Sequence, residues 1–244
     1  MTQVKKKPNA FWEYVKYYAI KEFMLLLTYL AASSIIMLVV IQDAELKYNT
    51  MMISWGIAFA LALAYNYFYG WLQGGTEYDM LVSGNMKRMS LMEGQVLKIS
   101  SHKVYKEYRP WKGFIFGIAP ALFSLASGII FGVNSDKVAA AFEGVSTGSL
   151  GWMFMMVFMF SSWSIMPFFA KHLHVAAPNY FLSCLFALLP IVISGVAYII
   201  GAYSKRAKAI KAQELADRER EREEKRERKV NYGGLPGTTP KKRK

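Results

Sequence analysis

The sequence predicts an all-α, polytopic helical membrane protein with four to five membrane-spanning helices, one apolar block being either a re-entrant segment or a fifth span. Three observations predict it. Hydrophobic residues make up 54% of the 244-residue chain and fall in long blocks, too much apolar surface for an ordinary soluble domain. Two of those blocks carry files of small residues at helical spacing, which let helices approach closely in lipid, where there is no hydrophobic drive between them. The basic residues, which give a net charge of +13, flank the blocks. There anionic headgroups are nearer partners than nucleic acid.

Residues 1–22 form a basic and aromatic segment with Lys5, Lys6, Lys7, Lys16 and Lys21 among Phe11, Trp12, Tyr14, Tyr17 and Tyr18. That mixture suits either a short interfacial helix or the opening turns of the first span. Span one is 23–41, without a small-residue cleavage site, and is expected to remain as a signal anchor. A short loop joins it to span two, 51–72, where Gly56, Ala60 and Ala64 recur every four residues and an aromatic belt closes the helix.

Gly74 and Gly75 are expected to break span two and open the polar loop 73–112. The loop holds seven basic residues, Lys87 and Arg88 among them. Met89, Met92, Val96 and Ile99 would share a face of an amphipathic helix there, or residues 96–108 would form a small hairpin.

The stretch 113–133 is the one the chain is organised around. Gly113, Gly117, Ala121, Ser124, Gly128 and Gly132 line one ridge, which makes this the expected central and most buried helix, bent at Pro120. After a Gly/Ser-rich loop of external character, block 152–177 is interrupted by Ser161, Ser162, Ser164 and Pro167. The last span, 179–203, carries the second ridge, Ser183, Ala187, Pro190, Ser194, Ala197 and Gly201, the natural mate of the first. Residues 204–229 then read as a solvated helix with Glu214–Arg218, Glu221–Lys225 and Glu224–Arg228 pairs, each contributing about 0.2–0.5 kcal/mol. The tail 230–244 reads as disordered.

Basic residues number five before span one, seven in 73–112 and fifteen after Ser204, against one in each remaining connection. All three rich segments should face the cytosol. Five crossings would put the last of them outside. Block 152–177, with its serines and proline near the middle, is therefore read as a re-entrant hairpin that enters and leaves on one side, the alternative being a plain fifth span.

For chemistry the sequence offers little. No Asp, Glu or Arg falls inside the five apolar blocks, and no lysine lies at depth, where coupled carriers and membrane enzymes keep ionisable groups. The single cysteine, Cys184, has no cysteine partner for a disulfide or thiolate metal site. His172 and His174 are read as interfacial histidines rather than metal ligands, and no phosphate-loop, dinucleotide or HExxH motif occurs.

The expectation is a non-enzymatic protein of the cytoplasmic (plasma) membrane without catalytic residues, cofactor or metal, acting as an accessory or scaffold subunit. Lys5, Lys6, Lys7, Lys87, Arg88, Lys205, Arg206, Lys208 and Lys211 would contact membrane lipids or a partner, either another membrane subunit or a cytosolic complex. Sequence-specific nucleic-acid binding is not expected. The alternative is a channel or transporter component with a pathway near Ser161, Ser162 and Ser164.

Overall fold

A computed structural model describes residues 10–42, 47–83, 106–142, 149–174 and 178–232. Among them every regular element is helical: α1 (Ala10–Gln42), α2 (Tyr48–Ser83), α3 (Lys112–Ile115), α4 (Ile118–Val133), α5 (Ser135–Phe142), α6 (Ser149–His174), a 3-10 helix (Tyr180–Ala187) and α7 (Leu188–Tyr232). Among the described residues five helical stretches are long and apolar enough to cross a membrane. The chain divides into two compact units, 1–202 and 203–244.

Within the first unit, pairwise contacts fix helix directions. Tyr17 reaches Glu77 and Asn66 reaches Tyr29, so α1 and α2 run antiparallel. The α3–α4 stretch runs antiparallel to the 3-10 helix and α7, because Ser124 donates to the Ser183 carbonyl while Ser194 donates to that of Gly113. Gly70 lies against Ser194 and Gly74 against Tyr198, which makes α2 and α7 parallel. Tyr17, Lys21, Glu77, Lys112 and Tyr198 therefore share one end of the bundle. Tyr48, Phe131, His174 and Tyr180 mark the other.

Helix α6 departs from this up-and-down pattern. Phe158 and Phe169 have ring centroids 4.8 Å apart, whereas eleven residues of straight helix would separate their Cα atoms by about 16 Å. Both arms run to the Tyr180 end: Phe154 packs on Phe131, Phe168 on Phe186, and His172 on Tyr180. The helix folds back about Ser162–Ser164, and Ser161 to Met166 are all buried.

The local chemistry accounts for the reversal. Pro167 has no N–H for the carbonyl of Trp163 four residues earlier. That carbonyl instead accepts from the Trp55 indole N–H at 2.8 Å, the substitution that a buried, freed carbonyl requires. Ser33 takes both sides of the bend, its carbonyl accepting from the Ser162 hydroxyl at 3.1 Å and its own hydroxyl from the Trp163 N–H at 3.3 Å. Trp163 stacks on Phe59 and packs at a tilt against Tyr29. In a Cys184→Ala background, a Phe158→Cys/Phe169→Cys pair should be joined by a short bifunctional thiol reagent. A straight helix would leave the two thiols too far apart, so failure to cross-link would rule the bend out.

Several expectations are corrected. Gly74 and Gly75 do not end span two, since α2 continues to Ser83. Gly74 is a packing residue: a Cβ there would run into the Tyr198 backbone. The file that faces α7 is Asn66, Gly70, Gly74 and Glu77, whereas Gly56 has nothing near its missing Cβ and Ala60 and Ala64 are exposed. The discontinuity in 113–133 lies at Phe116–Gly117, and Pro120 sits in the first turn of α4, where a missing N–H costs nothing. The most buried candidate span is Gly151–His174, ahead of Lys112–Val133. Described residues of 1–22 are the start of α1 with no break before span one. The connection between α4 and α6 contains α5, and the last candidate span begins as a 3-10 helix.

In the second unit, residues 206–227 are exposed on every side of α7, and Glu221 and Lys225 approach to 4.0 Å. Lys5, Lys6, Lys7, Lys87, Arg88, the proposed amphipathic helix or hairpin over most of its length, and residues 233–244 lie outside the described residues.

Candidate functional site

The two predicted small-residue ridges face each other in part. A Cβ on Gly117 would meet the Pro190 backbone, one on Gly128 the side chains of Ser183 and Cys184, and one on Gly132 the Phe181 ring. Ala121, Ser124, Ser183, Ala187 and Ala197 are buried. Gly201 and Ala197 turn to α2 instead, against Trp71 and Gly70. Gly113 meets Tyr198, and that contact leads to the polar centre of the bundle.

Glu77 lies at that centre, fully buried. Its Oε1 accepts from the Tyr17 hydroxyl at 2.7 Å and from the Lys21 ammonium. Its Oε2 accepts from the Tyr198 hydroxyl at 2.5 Å and lies 3.9 Å from Lys112 Nζ. Lys21 also donates to the Tyr17 hydroxyl at 2.6 Å and sits 5.0 Å from the Phe116 ring centroid. Lys112, 1% exposed, donates to the carbonyl of Glu107. A buried carboxylate with several donors and two ammonium groups satisfies the rule that charge leaves water only when paired and hydrogen-bonded.

Each element supplies its part for a local reason. Gly74 and Gly113 lack the Cβ that would keep Tyr198 from Glu77. The strap 106–111 closes over the site because the Tyr108 N–H donates to the Glu77 carbonyl at 3.2 Å and its ring stacks on Tyr198 at 5.2 Å. Phe116, at the break between α3 and α4, forms the floor against Tyr18, Tyr69 and Tyr198. The arrangement ties α1, α2, α3 and α7 to one carboxylate.

A second acid, Glu22, lies next to Lys21 but turns to α4. Its Oε2 accepts from the Ala119 N–H at 2.9 Å in the first helical turn, and its buried Oε1 has no hydrogen-bond partner. The apolar blocks were bounded at Phe23 and Leu72, which leaves Lys21, Glu22 and Glu77 outside them; α1 and α2 extend past those bounds and carry these groups into the bundle. The available signal was the spacing 66, 70, 74 and 77, which puts Glu77 on the same face as Asn66 and two glycines.

The other candidate residues occupy different places. Ser161, Ser162 and Ser164 are buried at the α6 bend and donate to the carbonyls of Val157, Ser33 and Ser161. His172 Nδ1 is 2.8 Å from the Tyr180 hydroxyl, and His174 lies edge-on to Tyr48. Among the described residues no three His, Cys, Asp or Glu side chains gather as metal ligands would. Lys205, Arg206, Lys208 and Lys211 belong to the second unit, where the last three are exposed. No protein-family model, curated protein or solved structure matches the chain.

Proposed function

We propose that the chain is a non-enzymatic multi-pass protein of the cytoplasmic (plasma) membrane, an accessory or scaffold subunit whose basic cytosolic face engages anionic lipid or a cytosolic partner. The fold-back of α6 carries this reading. With α6 entering and leaving at the Tyr180 end, α1 starts, the 84–111 connection joins, and the first unit ends at Ala202, all at the Glu77 end. The three lysine- and arginine-rich segments then begin on one side, which the orientation rule makes cytosolic. Four crossings and one re-entrant hairpin resolve the charge distribution that five crossings would violate. Lys205, Arg206, Lys208 and Lys211 follow immediately, and each basic residue near an anionic leaflet contributes on the order of 1 kcal/mol.

Cysteines introduced singly at Gln3 and Thr239, with Cys184 replaced by alanine, should react with a membrane-impermeant thiol reagent from the cytosolic side alone. Reaction from opposite sides would refute the four-crossing topology. Deleting 205–244 should weaken sedimentation of the purified protein's cytosolic face with phosphatidylglycerol vesicles; unchanged lipid binding and partner recovery would count against the scaffold reading.

A second reading, a channel or transporter component, draws support from the ionisable groups inside the candidate spans rather than from the serines at the α6 bend. Cysteines at Ser161, Ser162 and Ser164 separate the two: protection from a water-soluble reagent favours packing, and labelling favours a pathway.

A further inference from the structure

The ionisable groups of the bundle are not equivalent. Glu77 is saturated with donors, whereas Glu22 is not. Among the described residues no Lys, Arg or His pairs with Glu22. Its sequence neighbour Lys21 is committed to Glu77. The groups around it are few. Tyr18 and Lys21 belong to its own helix, Tyr69 of α2 is close enough to feel its charge, and α4 carries no titratable side chain and presents only backbone N–H.

Glu22 lies on α1 directly before the apolar block that begins at Phe23, and Ala119 is seven residues past Lys112, about 10 Å along the α3–α4 stretch. The carboxylate meets α4 at the Phe116–Gly117 discontinuity, where first-turn N–H groups have no helical acceptor. The Ala119 N–H and the neighbouring Ile118 N–H face the carboxyl, while Oε1 is shut from water without a hydrogen-bond partner or a cation among the described residues. A half-buried carboxylate without a cation is costly to keep charged, and adding one proton lowers that cost.

We propose that Glu22 is a proton-binding site within the bundle, held as the neutral acid while Oε2 accepts from Ala119 and exchanging its proton when the α3–α4 break opens to water. This goes beyond the scaffold reading and does not depend on which lipid or partner the basic face meets.

The test uses the full-length protein in detergent micelles and dicyclohexylcarbodiimide, an apolar reagent that adds to protonated carboxyl groups sheltered from water, with peptide mass mapping as readout. The expected result is modification of Glu22 that rises from mildly alkaline to mildly acidic pH, while Glu77 stays unmodified. Glu22→Gln should lose the adduct and keep the acceptor for Ala119, and the wild-type map needs no variant should that one fold poorly. No adduct at Glu22 at any pH, or equal modification of Glu22 and Glu77, would overturn the proposal. So would protection by sodium but not by choline at constant pH and ionic strength, which would make the site one for a metal cation.

Discussion

Glu77→Gln is expected to lower stability by about 3–5 kcal/mol, the range for removing one partner of a buried ion pair. It strands two ammonium groups whose side chains are 10% and 1% exposed, and a neutral amide cannot balance them. The measurement is the unfolding midpoint in detergent, with Glu219→Gln on the exposed part of α7 as control. A shift no larger than the control's would show that the buried carboxylate does not hold the helices together. The same argument predicts a recovery. Lys21→Met, Glu77→Leu and Lys112→Met combined should restore most of the loss, because a buried ionic group replaced whole by apolar side chains is often neutral or better. The residual deficit would report the Tyr17 and Tyr198 hydroxyls left without an acceptor, each costing about 1–3 kcal/mol.

Adding one methyl group to chosen glycines should have effects of opposite sign. Gly74→Ala and Gly117→Ala put a Cβ into the backbones of Tyr198 and Pro190, which cannot swing aside as a side-chain tip can. Each should destabilise by about 1–3 kcal/mol or more as two helices move apart. Gly56→Ala meets open space and should stabilise by about 0.5–1 kcal/mol, since alanine loses less conformational freedom in a helix. Thermal midpoints of the three variants decide the matter. Equal effects would mean that the close approaches at Gly74 and Gly117 do not hold in the folded protein. Because Gly74 sets the distance from α2 to Tyr198, its variant should also weaken the Tyr198–Glu77 hydrogen bond. Gly74→Ala and Glu77→Gln are therefore expected to combine with less than additive loss.

The helical class and the approximate positions of the apolar blocks were legible because a long uncharged stretch has few other stable solutions. The ridge from Gly113 to Gly132 was visible through its regular spacing, and so were the serines and Pro167 at which α6 reverses. Two kinds of local signal misled. Paired glycines at 74 and 75 look like a helix stop, since glycine weakens a helix on its own; here α2 runs through both, and Gly74 serves close contact with the Tyr198 backbone of α7. Gly56, Ala60 and Ala64 have a packing spacing yet face outward, because spacing identifies a face and does not say which face has a neighbour. Pro120 similarly reads as a mid-helix bend, although the chain had already broken at Gly117.

The order of residues along the chain was enough to dictate apolar helices, the places where small residues permit them to touch, and the gathering of basic residues in three segments. Tertiary packing alone fixed how far α1 and α2 extend past their apolar blocks, the return of both arms of α6 to one end, and the burial of Lys21, Glu77 and Lys112 together while Glu22 meets no cation among the described residues. The physical reason is that a charge ends an apolar helix only while it must stay in water. Glu77 is relieved of that need by Lys21 and Tyr198, which stand 56 and 121 residues away along the chain.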